Sequence, residues 1–141
     1  MEKIKSFTIN HDTLKPGMYV SRIDGDIVTY DLRLKTPNGG DYLSSATMHT
    51  IEHLLATYVR NSSFGENVIY AGPMGCMTGF YLLLRNVSKK DAIKLCYDAF
   101  EFIASYKGKI PGSKRIECGN YRMHNLKKAN FEAKVFAEIL K

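Results

Sequence analysis

The sequence predicts an α+β fold: an antiparallel β-sheet packed against α-helices in a single compact domain spanning residues 1–141. Three observations carry that expectation. Two β-rich runs meet at an Asp24-Gly25-Asp26 turn. Polar capping residues precede three stretches with helical apolar spacing. Strands and helices do not follow the regular β-α-β alternation of a parallel sheet. With 141 residues, 45% of them hydrophobic, the chain can build one packed core and little more.

Met18 to Ile23 and Ile27 to Lys35 flank the turn and predict an antiparallel hairpin. In the second run Val28, Tyr30, Leu32 and Leu34 share one face and Thr29, Asp31 and Arg33 the other, so one face is expected in the core and the other is expected to be polar. Thr36 to Asp41 breaks the chain, and Ser44 or Ser45 then stands where it can cap a helix from about Thr47 to Asn61. A strand around Asn67 to Tyr70, a Gly/Pro turn from Gly72 to Gly75 and a strand from about Thr78 to Arg85 follow. Ser88, with Asp91 three residues on, starts a helix expected to stop at Gly108 and to bury Ala92, Leu95, Cys96, Ala99, Phe102 and Ile103. Ile110 to His124 reads as loop. A last amphipathic helix runs from about Leu126 to Leu140 with Asn125 as its N-cap.

A net charge of +6 would suit an anionic partner. The basic residues, however, fall in separate pairs such as Lys89-Lys90, Lys114-Arg115 and Lys127-Lys128 on different segments, with no interleaved aromatic platform. A solvated surface is expected, with no nucleic-acid partner. The N-terminal residues form no apolar signal segment, and the densest apolar run, Phe80 to Leu84, is too short to cross a bilayer, so a cytoplasmic chain with no membrane partner is expected. Three cysteines in no pairing pattern fit that reducing compartment and free or metal-bound thiols.

The chemistry concentrates in His49-Thr50-Ile51-Glu52-His53, an H-x-x-E-H motif. Histidines four residues apart lie one helical turn above each other, so both rings can reach one ion, and the glutamate between them can act as a base beside it. Helical phase separates them from the apolar stripe: Met48, Ile51, Leu55, Tyr58 and Val59 cluster on one side, while His49, His53, Ala56 and Arg60 project from another. A catalytic metal usually takes three protein ligands and keeps one position open. Cys76, Cys96, Cys118, Glu101, Glu117, His11 and His124 are the candidates for the third. Cys96 belongs to a buried stripe and reads as core. Composition and spacing leave Cys76 and Cys118, both beside glycines in loops, equally eligible.

Three ordered segments point further. His49 to His53 followed by Leu54-Leu55-Ala56, then Pro73-Met74-Gly75-Cys76-Met77-Thr78-Gly79-Phe80-Tyr81, then Cys118-Gly119 with His124-Asn125-Leu126, resemble the S-ribosylhomocysteine lyase (LuxS) family over nearly the whole chain. The resemblance implies a homodimer that cleaves S-ribosylhomocysteine to homocysteine and 4,5-dihydroxy-2,3-pentanedione, the autoinducer-2 precursor. It implies His49, His53 and Cys118 as metal ligands, holding one Fe(II) per subunit, or zinc in oxidised or recombinant material. It implies Glu52 and Cys76 as general acid/base residues. Ser6, His11 and Arg33 match its substrate-binding positions, in a site shared across the dimer, with the metal from one subunit and residues such as Arg33 from the other. The residue types suit such chemistry. Moving a sugar carbonyl along its chain passes through successive enediolates, which call for a Lewis acid and for proton carriers on either side. Two positions depart from the family pattern: Tyr70 replaces an Asp three residues before Pro-Met-Gly-Cys, and Asn125 replaces the Asp of His-Asp-Leu.

The same H-x-x-E-H order occurs in inverted-zincin metallopeptidases, whose third ligand is usually a downstream Glu, here Glu101. A non-catalytic metal-binding or nucleic-acid-binding module would leave Glu52 and Cys76 without a role.

Overall fold

In a computed structural model describing residues 1–141, the Asp24-Gly25-Asp26 turn joins β1 (Gly17–Asp24) to β2 (Ile27–Arg33) as an antiparallel hairpin. Gly25 sits at φ +60°, a left-handed value that an L side chain resists, which explains glycine at this corner. β2 pairs with β4 (Gly79–Arg85), and β4 with β3 (Val68–Pro73), giving a four-stranded antiparallel sheet of order β1-β2-β4-β3. β3 runs beyond the expected Tyr70 through Gly72 and Pro73. Proline is tolerated because β3 is an edge strand, where the missing N–H removes no necessary ladder bond.

The three helices start at polar caps. Ser44 accepts the Thr47 N–H at 3.2 Å before α1 (Ser45–Asn61), Ser88 accepts the Asp91 N–H at 3.1 Å before α2 (Lys89–Ser105), and Asn125 accepts the Lys128 N–H at 3.0 Å before α3 (Leu126–Leu140). α2 stops at Ser105 rather than Gly108 because α3 intervenes. The Asn130 side-chain amide donates to the Ile103 and Tyr106 carbonyls, satisfying groups that a helix end leaves unpaired.

All three helices lie on one side of the sheet. α1 packs over β3, α3 over β1, and α2 against both helices. Tyr30, Leu32, Phe80 and Leu82 meet Ile51, Leu54, Leu55 and Val59 in the core, where each side chain is worth roughly 1.5–3 kcal/mol of burial. Because α2 has helices on two sides, its buried face is wider than one stripe. Phe100 is fully buried, edge to face with Phe136 at 4.8 Å, whereas Phe102, expected in the stripe, is half-buried against Tyr58.

The opposite face of β2 is polar but not solvated. Asp31 and Arg33 are 0% and 2% exposed. Each removes the other's need for water: Arg33 donates to both Asp31 carboxylate oxygens, at 3.1 and 2.6 Å. No helix is long and apolar enough to cross a membrane.

Candidate metal centre and adjoining cleft

α1 presents His49 and His53 one turn apart, and the loop between α2 and α3 comes up to meet them. The His49 Nδ1 lies 2.7 Å from the Met123 carbonyl, and the His53 Nδ1 lies 2.7 Å from the Pro111 carbonyl. A carbonyl can only accept, so each Nδ1 carries the hydrogen and each Nε2 is left with a free lone pair. Gly112 makes the second contact possible: its φ is +72°, and a Cβ there would stand 3.1 Å from the His53 Nδ1.

The same loop delivers Cys118. Its Sγ is 3.4 Å from the His49 Nε2, and the ligand atoms of His49, His53 and Cys118 all lie within 4.8 Å of one another. Glu117, a candidate ligand by sequence, instead accepts the Lys114 N–H at 3.1 Å, while the Glu117 and Cys118 N–H groups both donate to the Lys114 carbonyl. The carboxylate thus closes the turn that presents the thiol. Two imidazole nitrogens with committed partners and one sulfur form a donor set suited to a borderline divalent ion such as Zn²⁺ or Fe²⁺.

A cleft of about 290 Å³ opens beside this group, bordered by His49, Glu52 and Met123, by Pro73 at the end of β3, and by Met74, Gly75 and Met77 of the turn after it. The Glu52 carboxylate is half-exposed, 4.0 Å from the His53 Nε2. Cys76, an exposed thiol, sits in that turn between Gly75 and Met77. A larger cavity of about 610 Å³ lies elsewhere, by the starts of α1 and α3, but its Lys35 is already paired with Asp41 and Glu132. The smaller cleft is the one that His49 and Glu52 border.

Behind Cys76 the sheet supplies a buried polar network. Arg33 Nη1 donates to the Thr78 hydroxyl at 2.8 Å and stands 3.8 Å from the Cys76 Sγ, and the Thr78 Oγ1 is 3.1 Å from the same sulfur. Arg33 therefore meets Cys76 of its own chain. Asp31 occupies the Nε/Nη2 side of the guanidinium fork.

Ser6 and His11 lie on the N-terminal segment, outside the His49, His53 and Cys118 group. Ser6 faces Tyr81, whose phenol is pushed up mainly by burial and then by the Asp31 charge. His11 Nδ1 bonds only the nearby Ile9 carbonyl, at 2.8 Å. Glu101 is exposed on α2 and outside the group, which leaves the metallopeptidase reading without its third ligand. Cys96 is fully buried in the core and burial drives its thiol pKa far up, as a structural cysteine requires. Tyr70 projects from the edge strand with its ring over Gly72, and Asn125 caps α3, so this second departure falls on a helix terminus rather than in the cleft.

Sequence reasoning missed two threonines. Thr50, fully buried, donates to the Ala46 carbonyl, accepts the Asn125 N–H at 2.9 Å and meets the His124 Nδ1 at 2.9 Å, tying α1 to the start of α3. His124 then stacks on His49 with ring centroids 4.3 Å apart. Burial first, then His49 and His53, hold its pKa below the ordinary histidine value. Thr78 is the other.

Residues 4–140 match the family model described as S-Ribosylhomocysteinase (LuxS). Among curated proteins, the S-ribosylhomocysteine lyase of Clostridium acetobutylicum is 48% identical over 146 residues, covering 99% of this chain and 92% of its own length. That of Desulfotalea psychrophila is 50% identical, with the same 99% and 92% coverage. The one from Borreliella afzelii is 45% identical, covering 99% and 93%.

Proposed function

The chain belongs to the S-ribosylhomocysteinase (LuxS) family, and on that premise we propose that it is a metal-dependent carbon–sulfur lyase. It cleaves S-ribosylhomocysteine to homocysteine and 4,5-dihydroxy-2,3-pentanedione, the precursor of autoinducer-2. The observation that carries the reading is the convergence of the His49 and His53 Nε2 atoms with the Cys118 Sγ beside a cleft that also holds Glu52. These three residues hold the ion, one Fe(II) per subunit, or zinc after oxidation or recombinant expression. When bound, it supplies positive charge for the oxyanions that develop as the carbonyl moves.

The rest falls to the chain's own side chains. Glu52 borders the cleft from α1, and Cys76 stands in the turn whose Gly75 and Met77 line it, so each can take a proton from one sugar carbon and return it to the next. Once the carbonyl stands β to the carbon bearing sulfur, loss of one more proton expels homocysteine as its thiolate. The Arg33 guanidinium, 3.8 Å from the Cys76 Sγ, attracts the negative charge left there after proton transfer. Pro73, Met74, Met77 and Met123 line the cleft with apolar surface and limit water.

The active form is a homodimer in the cytoplasm, with sites shared between subunits, the metal from one and substrate-binding residues such as Ser6, His11 and Arg33 from the other. Two features support this. The helices cover only one face of the sheet, and the other carries Tyr19, Tyr70, Tyr81 and Leu83 in exposed or half-buried positions, a surface suited to a second layer. Ser6 and His11 also lie outside the ligand group of their own chain. Light scattering checks the dimer: a monomer at assay concentration refutes it. The reaction is tested by adding S-ribosylhomocysteine to anaerobically prepared, metal-analysed protein and following free thiol. Stoichiometric metal with no homocysteine released would sink the lyase reading.

A further inference from the structure

The Cys76 thiol is held by groups that the proposed chemistry has not used. Thr78 is 2% exposed, yet its side chain points at no solvent and at no substrate-facing surface: Oγ1 lies between Arg33 Nη1 at 2.8 Å and the Cys76 Sγ at 3.1 Å. Its backbone is fixed from both sides. The Thr78 carbonyl accepts the Leu34 and Lys35 N–H groups at 2.9 and 3.0 Å, and in the next residue, Gly79, a Cβ would come within 2.1 Å of the Leu32 carbonyl oxygen. Met77, between Cys76 and Thr78, takes φ +65°, a left-handed conformation unusual for a residue with a side chain. This kink lets the side chains of residues 76 and 78 meet.

We propose that Thr78 is a positioning residue for Cys76, its hydroxyl acting as a rotor that follows the thiol's proton. A hydroxyl has one hydrogen and two lone pairs. Arg33 occupies one lone pair permanently, because Asp31 and Thr78 hold its guanidinium in place. When Cys76 is a thiol, S–H donates to the second lone pair of Oγ1. When it is a thiolate, the hydroxyl turns and donates its hydrogen to sulfur. Both protonation states of an acid/base residue therefore keep a partner, and the sulfur stays in one place as the proton comes and goes. Valine, with the same shape, serves neither state, whereas serine serves both.

The effect on turnover rests on the lyase reading, and the effect on the thiol does not. The test compares Thr78→Val and Thr78→Ser with wild type, by homocysteine release and by the rate of iodoacetamide alkylation of Cys76. Cys96 is buried and Cys118 is kept metal-loaded, so Cys76 is the reporting thiol. The other charged or titratable groups around it, Arg33 and Asp31 from β2 and Tyr81 from β4, are unchanged in every variant. Thr78→Val should lose about tenfold to a hundredfold in kcat, the range for a hydrogen bond to a charged group, with KM within about threefold, and its alkylation should slow about tenfold. Thr78→Ser should recover most of both. If the valine variant does not fold, Thr78→Ala against Thr78→Ser makes the same comparison. Wild-type turnover and alkylation in the valine variant would overturn the proposal, and so would lost turnover with unaltered alkylation and no rescue by serine. Wild-type protein that releases no homocysteine fails the lyase reading instead, and the alkylation series still judges Thr78.

Discussion

The polar groups on the helix side and on the sheet side of the molecule are built on opposite terms. On the helix side, the hydrogen-bonding capacity of His49 and His53 is half spent: each Nδ1–H goes to a backbone carbonyl and each Nε2 is left over. On the sheet side nothing is left over. Asp31, Arg33 and Thr78 satisfy one another almost completely and are shielded from water. Spare donor atoms that converge make a binding site, while matched partners make a support. The difference explains why two groups of polar residues hold such different prospects for chemistry.

The comparison breaks most severely at Cys118. Cys118→Ala should lose both metal and activity, because the two imidazoles alone lack the charge and the third donor that retain the ion. Stoichiometric metal by elemental analysis, with full turnover, would remove Cys118 from the site. On the sheet side the largest effect should be on stability instead. Asp31→Ala strands a buried guanidinium and should cost about 3–5 kcal/mol, read from the urea midpoint, with metal content unchanged in the fraction that folds. A loss of metal there would show that the two sides are not separable.

Between those extremes, Glu52→Gln and Cys76→Ala should fold and keep their metal but lose at least about a hundredfold in kcat, the scale for deleting an acid or base. Wild-type turnover in either variant removes that residue from the proton path. The smallest effect belongs to Asn125→Asp. Either side chain can accept the Lys128 N–H, so stability should change by only a few tenths of a kcal/mol and KM not at all. A changed KM would move this position from the helix cap to the substrate.

Much of the helix side was legible in the sequence. Four-residue spacing placed His49 and His53 on one face of α1, and the three caps marked helix starts to within a residue or two. The third ligand was not legible from spacing, because Cys118 meets His49 across 69 residues of chain and only the family resemblance singled it out. The sheet side was legible only in part, for a physical reason. Alternation says which residues share a face of a strand but not whether that face is wet, and the Arg33 face was expected only to be polar. One signal was available: Asp31 and Arg33, opposite charges two residues apart, necessarily project side by side and can neutralise each other in a buried place. Thr78 and Thr50 left no such trace, since their partners lie 45 and about 75 residues away. Phe100 was missed because a single apolar stripe assumes one neighbour, and α2 has two.

The loop between α2 and α3 contains no helix or strand, and its grip on α1 comes through Pro111, Cys118 and Met123. An ion bound by both α1 and this loop acts as a clasp, because any opening that exposes the loop must first give up a ligand. Lys114 and Arg115 stand exposed in the same stretch, where a trypsin-like protease cuts once the chain can bend into its groove. Loading the site would therefore shield the loop from such a protease, and stripping it by chelation would bare the loop to cutting.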